Sequence, residues 1–155
     1  MRHKIIFGLG SNLGDRKFNL DCASTFLQQK LQLMELRKST IFKNPALLKE
    51  NSPKEWDIEF FNIALSARIN LEQFPPQKIL EVIKEIENEL GRKPDAKWSP
   101  RPIDIDILII EGTKIDLKDE LVIPHYDLQN RDFFLVTMEE IEPKWRELMQ
   151  LRIKN

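Results

Sequence analysis

The chain predicts an α+β domain built on an antiparallel sheet, and three observations carry that expectation. Apolar residues alternate at a period of two from Trp56 to Ile69 and from Ile103 to Ile110, as strands require. Two other stretches repeat apolar residues at helical spacing: Leu20, Ala23, Leu27 and Leu31, and then Ile79, Ile83, Ile86 and Leu90. No repeat, low-complexity stretch or linker interrupts the 155 residues, so one domain over 1–155 is expected.

Taken in order, Lys4 to Leu9 reads as a buried strand. Gly8, Gly10 and Gly14 read as a glycine turn into a helix over about 15–31, with Asp15 as its N-cap. The glycine spacing matches neither the dinucleotide fingerprint nor a P-loop. Leu33 to Phe42 predicts a strand that stops at Asn44-Pro45, and a loop follows to Pro53. On the strand from Trp56 to Ile69, Phe61, Ile63, Leu65, Ala67 and Ile69 form one face and Phe60, Asn62, Ala64, Ser66 and Arg68 the other. Phe74-Pro75-Pro76 opens a helix that Gly91 stops. Beyond Ile110 come a short hairpin near Ile115 and Leu121 to Ile123, a helical turn over 127–131, an extended run from Phe133 to Met138, and a terminal helix from Ile141 to Leu151 with Trp145, Leu148 and Leu151 inward. The resulting order, strand-helix-strand-strand-helix-strand with an appended hairpin and helices, is that of a ferredoxin-like βαββαβ core with helices on the faces of its sheet.

Composition excludes several classes of function. The chain is 41% apolar and 32% charged, an ordinary globular balance. A formal net charge of −1 supplies no global attraction to nucleic acid or an anionic membrane, so charge that binds phosphate must be local. Cys22 is the single cysteine, which rules out an internal disulfide and a cysteine-rich metal site and fits a reducing compartment. Glycines break the first apolar run too early for a signal sequence, and no stretch approaches a membrane span. A cytoplasmic monomer with no nucleic-acid or membrane partner is expected.

Chemistry concentrates at Trp98 to Ile110. A proline-stiffened basic segment with Arg92, Lys93, Lys97 and Arg101 runs into a strand that puts Asp104 and Asp106 on one face, with Leu108 and Ile110 continuing that face as apolar. Alternate residues on a strand lie roughly 6.5 to 7 Å apart. Carboxylates that close repel unless a cation sits between them. The pair is either the solvated face of an amphipathic strand or a divalent-metal site, and the neighbouring cations are the partners a polyphosphate would need. Phe60 and Asn62 point the same way, which suits either a flat heterocycle or a core phenylalanine beside an exposed amide.

Together, Gly8 to Gly14, Phe61-Asn62, Ile86-Glu87 with Gly91-Arg92, Trp98-Ser-Pro-Arg-Pro-Ile-Asp-Ile-Asp106, Ile123-Pro-His-Tyr-Asp127 and Asn130-Arg131 resemble the 6-hydroxymethyl-7,8-dihydropterin pyrophosphokinases. The resemblance implies transfer of pyrophosphate from ATP to the pterin hydroxymethyl group in folate biosynthesis, releasing AMP. It implies two Mg²⁺ ions on Asp104 and Asp106, with Arg92 and Arg101 as catalytic cations. Asn44, Pro45, Leu47, Phe60, Asn62 and Phe133 would hold the pterin. Glu87, Trp98, Arg101, Ile107, His125, Tyr126 and Arg131 would contact ATP. The sequence departs from the pattern of some members at Lys84, Pro94, Glu120 and Val122, on the nucleotide side. Two other classes fit parts of the chain. A single-stranded RNA-binding sheet would need exposed aromatics and a basic surface. A two-metal nucleotidyl transferase or nuclease would leave Phe60, Asn62 and Phe133 without a role.

Overall fold

The computed structural model describes residues 1–46, 48–92 and 99–150. Its strands are β1 (Arg2–Ser11), β2 (Met34–Lys38), β3 (Phe42–Asn44), β4 (Phe60–Asn70), β5 (Asp104–Ile110), β6 (Ile115–Asp116) and β7 (Val122–Ile123). Its helices are α1 (Arg16–Lys30), α2 (Pro76–Glu89), α3 (Asp132–Ile141) and α4 (Trp145–Gln150). The main sheet runs β2-β4-β1-β5, with β3 also on β4, and every pair is antiparallel. β6 and β7 form a separate antiparallel pair. Among the described residues no helix is long and apolar enough to cross a membrane.

Two apolar layers enclose the sheet. On one face Ile5, Phe7 and Leu9 of β1 and Ile63 and Leu65 of β4 meet Leu20 and Leu27 of α1 and Ile79, Ile83 and Ile86 of α2. Asp15 caps α1 as expected, accepting the Phe18 N–H at 3.0 Å. On the other face Ile6, Ala64, Leu108 and Ile109 meet Phe134 and Met138 of α3 and Trp145 and Leu148 of α4. This second layer covers only part of the sheet. Gly10, Asn62, Asp104 and Asp106 lie on the uncovered part, with Gly8 at its border under Phe134, and the site is built there.

Several expectations are corrected. Gly8 and Gly10 belong to β1, which runs on to Ser11, and the turn falls at 12–15 with Gly14 at φ +72°. The strand expected over Leu33–Phe42 divides into β2 and β3. Between them Ser39 donates its N–H to the Ala64 carbonyl at 3.0 Å and accepts the Ala64 N–H on Oγ at 2.9 Å, so the break leaves β4 satisfied. Trp56 lies in a 3₁₀ turn, Lys54–Trp56, and β4 begins only at Phe60. The run from Phe133 to Met138 is helical, because Phe134, Met138 and Ile141 at intervals of four and three form one buried stripe. Ile141 closes that helix rather than opening the next, and Pro143 separates α3 from α4. Trp145 and Leu148 point inward as expected, while Leu151 lies outside the described residues.

The fate of Ile110 has a single local cause. Phe7 pairs with Ile107 and Ile6 with Ile109, so Leu108 is an extra residue, a bulge in β5. Beyond it the facing reverses. Leu108 stays on the face of the two acids, but Ile109 joins it there and Ile110 turns to the α1–α2 side, contrary to simple alternation.

Candidate active site

A cavity of about 460 Å³ opens on the uncovered part of the sheet. Its floor is β1, where two glycines leave room. A Cβ on Gly8 would lie 3.0 Å from Cε1 of Phe134, and one on Gly10 would lie 3.0 Å from Asn62 Oδ1 and 3.4 Å from the Phe60 ring. One wall carries Phe60 and Asn62 from β4 and Asn44 from β3, with Phe133 from the start of α3 also lining the space. Asn62 is 5% exposed. Its amide N–H₂ donates to the Phe42 carbonyl at 3.3 Å and to Asn44 Oδ1, which fixes the orientation of both amides at the edge of the aromatic slot.

The opposite wall is ionic. Asp104 and Asp106 project from the start of β5 into the same cavity as Arg101, His125, Tyr126 and Arg131. Asp104 accepts from Arg92 at 2.9 Å and lies 3.8 Å from Arg101. Burial, followed by the charge of Asp106, pushes the Asp104 carboxyl above its ordinary range, and Arg92 and Arg101 only partly oppose this. Such a group gains from further positive charge in the cavity. Arg92 is held between Asp104 and Glu87, the latter at 2.7 Å. Burial works against the Arg92 charge, but the two carboxylates outweigh it and raise its pKa.

His125 owes its place to the bulge. The extra residue, Leu108, turns its carbonyl to the His125 N–H at 2.9 Å. The ring then accepts the Asp127 N–H on Nδ1 at 3.1 Å, so the proton of the neutral ring sits on Nε2, which faces Asp106 Oδ1 at 3.6 Å. Tyr126 stacks on His125 with ring centroids 4.6 Å apart and is 70% exposed, a free aromatic surface at the mouth. Arg131 pairs with Asp127 at 3.0 Å. Hydrogen bonding from Asn130, together with Arg131, keeps the Asp127 carboxyl below its usual range.

Of the residues singled out in the sequence, the cavity thus gathers Asn44, Phe60, Asn62, Arg101, Asp104, Asp106, His125, Tyr126, Arg131 and Phe133. Glu87 and Arg92 stand behind Asp104, with Glu87 accepting the Ile105 N–H at 2.9 Å, and neither lines the space. Pro45 is exposed beside it, and Ile107 is buried in the α1–α2 layer on the other side of the sheet. Leu47 and Trp98 lie outside the described residues. Sequence reasoning missed Gly8, Gly10, Phe134 and Asp127. The two glycines were within reach, since alternation along β1 places both on one face.

The donor set suits magnesium better than a softer metal. Two carboxylates share a cavity with cations that can meet phosphate, and among the described residues no cluster of three or more His, Cys, Asp or Glu could cage an ion alone. Magnesium characteristically takes one or two carboxylates and fills its shell with water and substrate oxygens. An RNA-binding sheet would need an open face, whereas here α3 and α4 bury Ile6 and Ala64.

The chain is 40% identical over 139 residues to the 2-amino-4-hydroxy-6-hydroxymethyldihydropteridine pyrophosphokinase of Aquifex aeolicus, covering 90% of this chain and 80% of the relative. To the enzyme of the same name from Bacillus subtilis it is 32% identical, covering 91% and 79%. The folate synthesis bifunctional protein of Chlamydia caviae is 39% identical over 140 residues, and there the match covers 90% of this chain but 30% of the relative. Among solved structures, an HPPK-DHPS chain in complex with substrates aligns with a TM-score of 0.61 at 15% identity, over 92% of this chain and 40% of that one. Plasmodium falciparum HPPK-DHPS aligns at 0.58 and 16%, over 91% and 40%. At those identities the likeness is one of fold. The model of the 7,8-dihydro-6-hydroxymethylpterin-pyrophosphokinase (HPPK) family matches residues 6–143, and the chain belongs to that family.

Proposed function

We propose that this chain transfers the terminal pyrophosphoryl group of ATP to the hydroxymethyl oxygen of 6-hydroxymethyl-7,8-dihydropterin, releasing AMP, and so serves folate biosynthesis. The observation that carries this is the meeting, in one cavity, of an aromatic and amide slot with a pair of carboxylates set among cations. The slot alone would bind a heterocycle and the acids alone a metal. Side by side they suit a reaction between a flat alcohol and a polyphosphate. The antiparallel order β2-β4-β1-β5 is taken as the ferredoxin-like core of the family, with β6, β7, α3 and α4 appended.

Phe60 and Phe133 stack the pterin, and the Asn62 and Asn44 amides fix its edge, so that its hydroxyl points along the cavity toward Asp104 and Asp106. That oxygen attacks the β-phosphorus, the bond from β-phosphorus to the α–β bridging oxygen breaks, AMP leaves with the electron pair, and the hydroxyl proton passes to solvent. The step needs positioning and charge stabilisation more than a protein nucleophile. Asp104 and Asp106 would hold two magnesium ions, which would supply neutralisation of phosphate charge and favour loss of the hydroxyl proton. Arg101 supplies positive charge beside Asp104 and the Nε2–H of His125 a hydrogen-bond donor beside Asp106, and Arg131 with Tyr126 holds the remainder of the triphosphate at the mouth. Arg92, paired with Glu87 and Asp104, backs the acids with a further positive charge.

Asp104→Asn and Asp106→Asn test the assignment. Each is expected to lower AMP formation by about a thousandfold or more, the scale of removing a central electrostatic group, while pterin affinity by calorimetry changes little. Near-normal turnover in both variants would remove the acids from the mechanism.

A further inference from the structure

We infer that Asn12 is a positioning residue for Arg101, clamping the end of the basic segment to β1 and to the residues that lead into β4. Asn12 is 1% exposed, follows directly on β1, and does not line the cavity, so it acts through other groups. The Arg101 N–H donates to Asn12 Oδ1 at 2.9 Å, and the Asn12 N–H donates to the Arg101 carbonyl at 3.1 Å. The two residues therefore exchange bonds outside the sheet. The other half of the same amide, Nδ2, donates to the Ile58 carbonyl at 3.2 Å. One side chain that both accepts and donates thus ties together the two walls of the site. Ile58 leads to Phe60 and Asn62, and Arg101 leads to Asp104. A primary amide is suited to this because it carries both functions on one carbon. With its backbone held there, Arg101 keeps its guanidinium 3.8 Å from Asp104.

What Arg101 contributes rests on the pyrophosphokinase proposal, whereas the clamp does not. The experiment separates them. Turnover with ATP, the pterin and magnesium is measured for wild type, Asn12→Ala, Arg101→Ala and the double variant, alongside amide exchange at residue 101. Asn12→Ala is expected to speed that exchange and to lower kcat about ten- to a hundredfold, the scale of a small misplacement at a reacting centre. In the Arg101→Ala background the same substitution should cost less than about twofold, since coupled residues are not additive. Losses that multiply, a wild-type kcat in Asn12→Ala, or unchanged exchange at residue 101 would each overturn the inference. If Asn12→Ala does not fold, Asn12→Asp takes its place. It keeps the acceptor for the Arg101 N–H and loses the donor to the Ile58 carbonyl, so exchange at residue 101 should stay slow while pterin affinity falls through the Phe60 wall, and fast exchange at residue 101 or an unchanged pterin affinity overturns the clamp. A wild type that forms no AMP would remove the pyrophosphokinase proposal, and exchange at residue 101 would still judge the clamp.

Discussion

Gly10 matters for what it lacks. A methyl group there would press on Asn62 Oδ1 at 3.0 Å and on the Phe60 ring at 3.4 Å, so the aromatic slot depends on a bare stretch of β1. Gly10→Ala is therefore expected to weaken pterin binding about ten- to a hundredfold, consistent with the ~1–3 kcal/mol cost of overpacking. Binding of a non-hydrolysable ATP analogue, titrated in the same calorimeter, should stay near wild type, and an unchanged pterin affinity would contradict the role given to this glycine. At this scale the sequence was informative where chemistry is carried by a side chain. Phe60 and Asn62 show their common face through period-two alternation, and Asp104 and Asp106 do the same. Gly8 and Gly10 are harder, because the reason for a missing Cβ lies in Phe134, Asn62 and Phe60, far away in the chain.

At the scale of elements, α2 and β5 are joined by one carboxylate. Glu87 accepts the Ile105 N–H and pairs with Arg92, yet burial raises its pKa to about 7, with Arg92 and the Ile105 bond only partly offsetting it. In the unfolded chain the group titrates near 4.5. Between those values the folded protein binds more protons than the unfolded one, so the stability from Glu87 is fully present below about pH 4.5 and is lost as pH rises through 7. The loss is on the order of 3 kcal/mol at most. Denaturant unfolding of the metal-free protein at pH 5 and pH 8 should show Glu87→Gln losing less stability than wild type over that interval, and identical pH dependence in the two would refute the shift. Element types were largely legible where periodicity ran long, as in α1, α2, β4 and β5. They were not legible in two places. The six residues from Phe133 to Met138 are too few to separate a buried strand from a helix, and α3 is fixed by packing on Gly8 and Leu108. The bulge at Leu108 leaves no mark in a run of isoleucines, although it decides where Ile110 points and where His125 is anchored.

For the whole molecule, function follows from incomplete coverage. Two helices seal one face of the sheet, whereas α3 and α4 seal only part of the other, and the open remainder gathers residues from β1, β3, β4, β5 and the segments before and within α3. The order of elements predicted an antiparallel sheet with helices on its faces, but the position of the cavity depended on α3, which sequence periodicity misassigned. The chain spans 30% of the Chlamydia bifunctional relative and 40% of the solved HPPK-DHPS chain. The most direct measurement incubates the protein with ATP, 6-hydroxymethyl-7,8-dihydropterin and magnesium, omits each in turn, and follows nucleotides by chromatography. AMP should form only in the complete mixture, in equal amount to the pterin diphosphate. AMP without pterin, ADP as the product, or full activity in excess chelator would contradict the central claim.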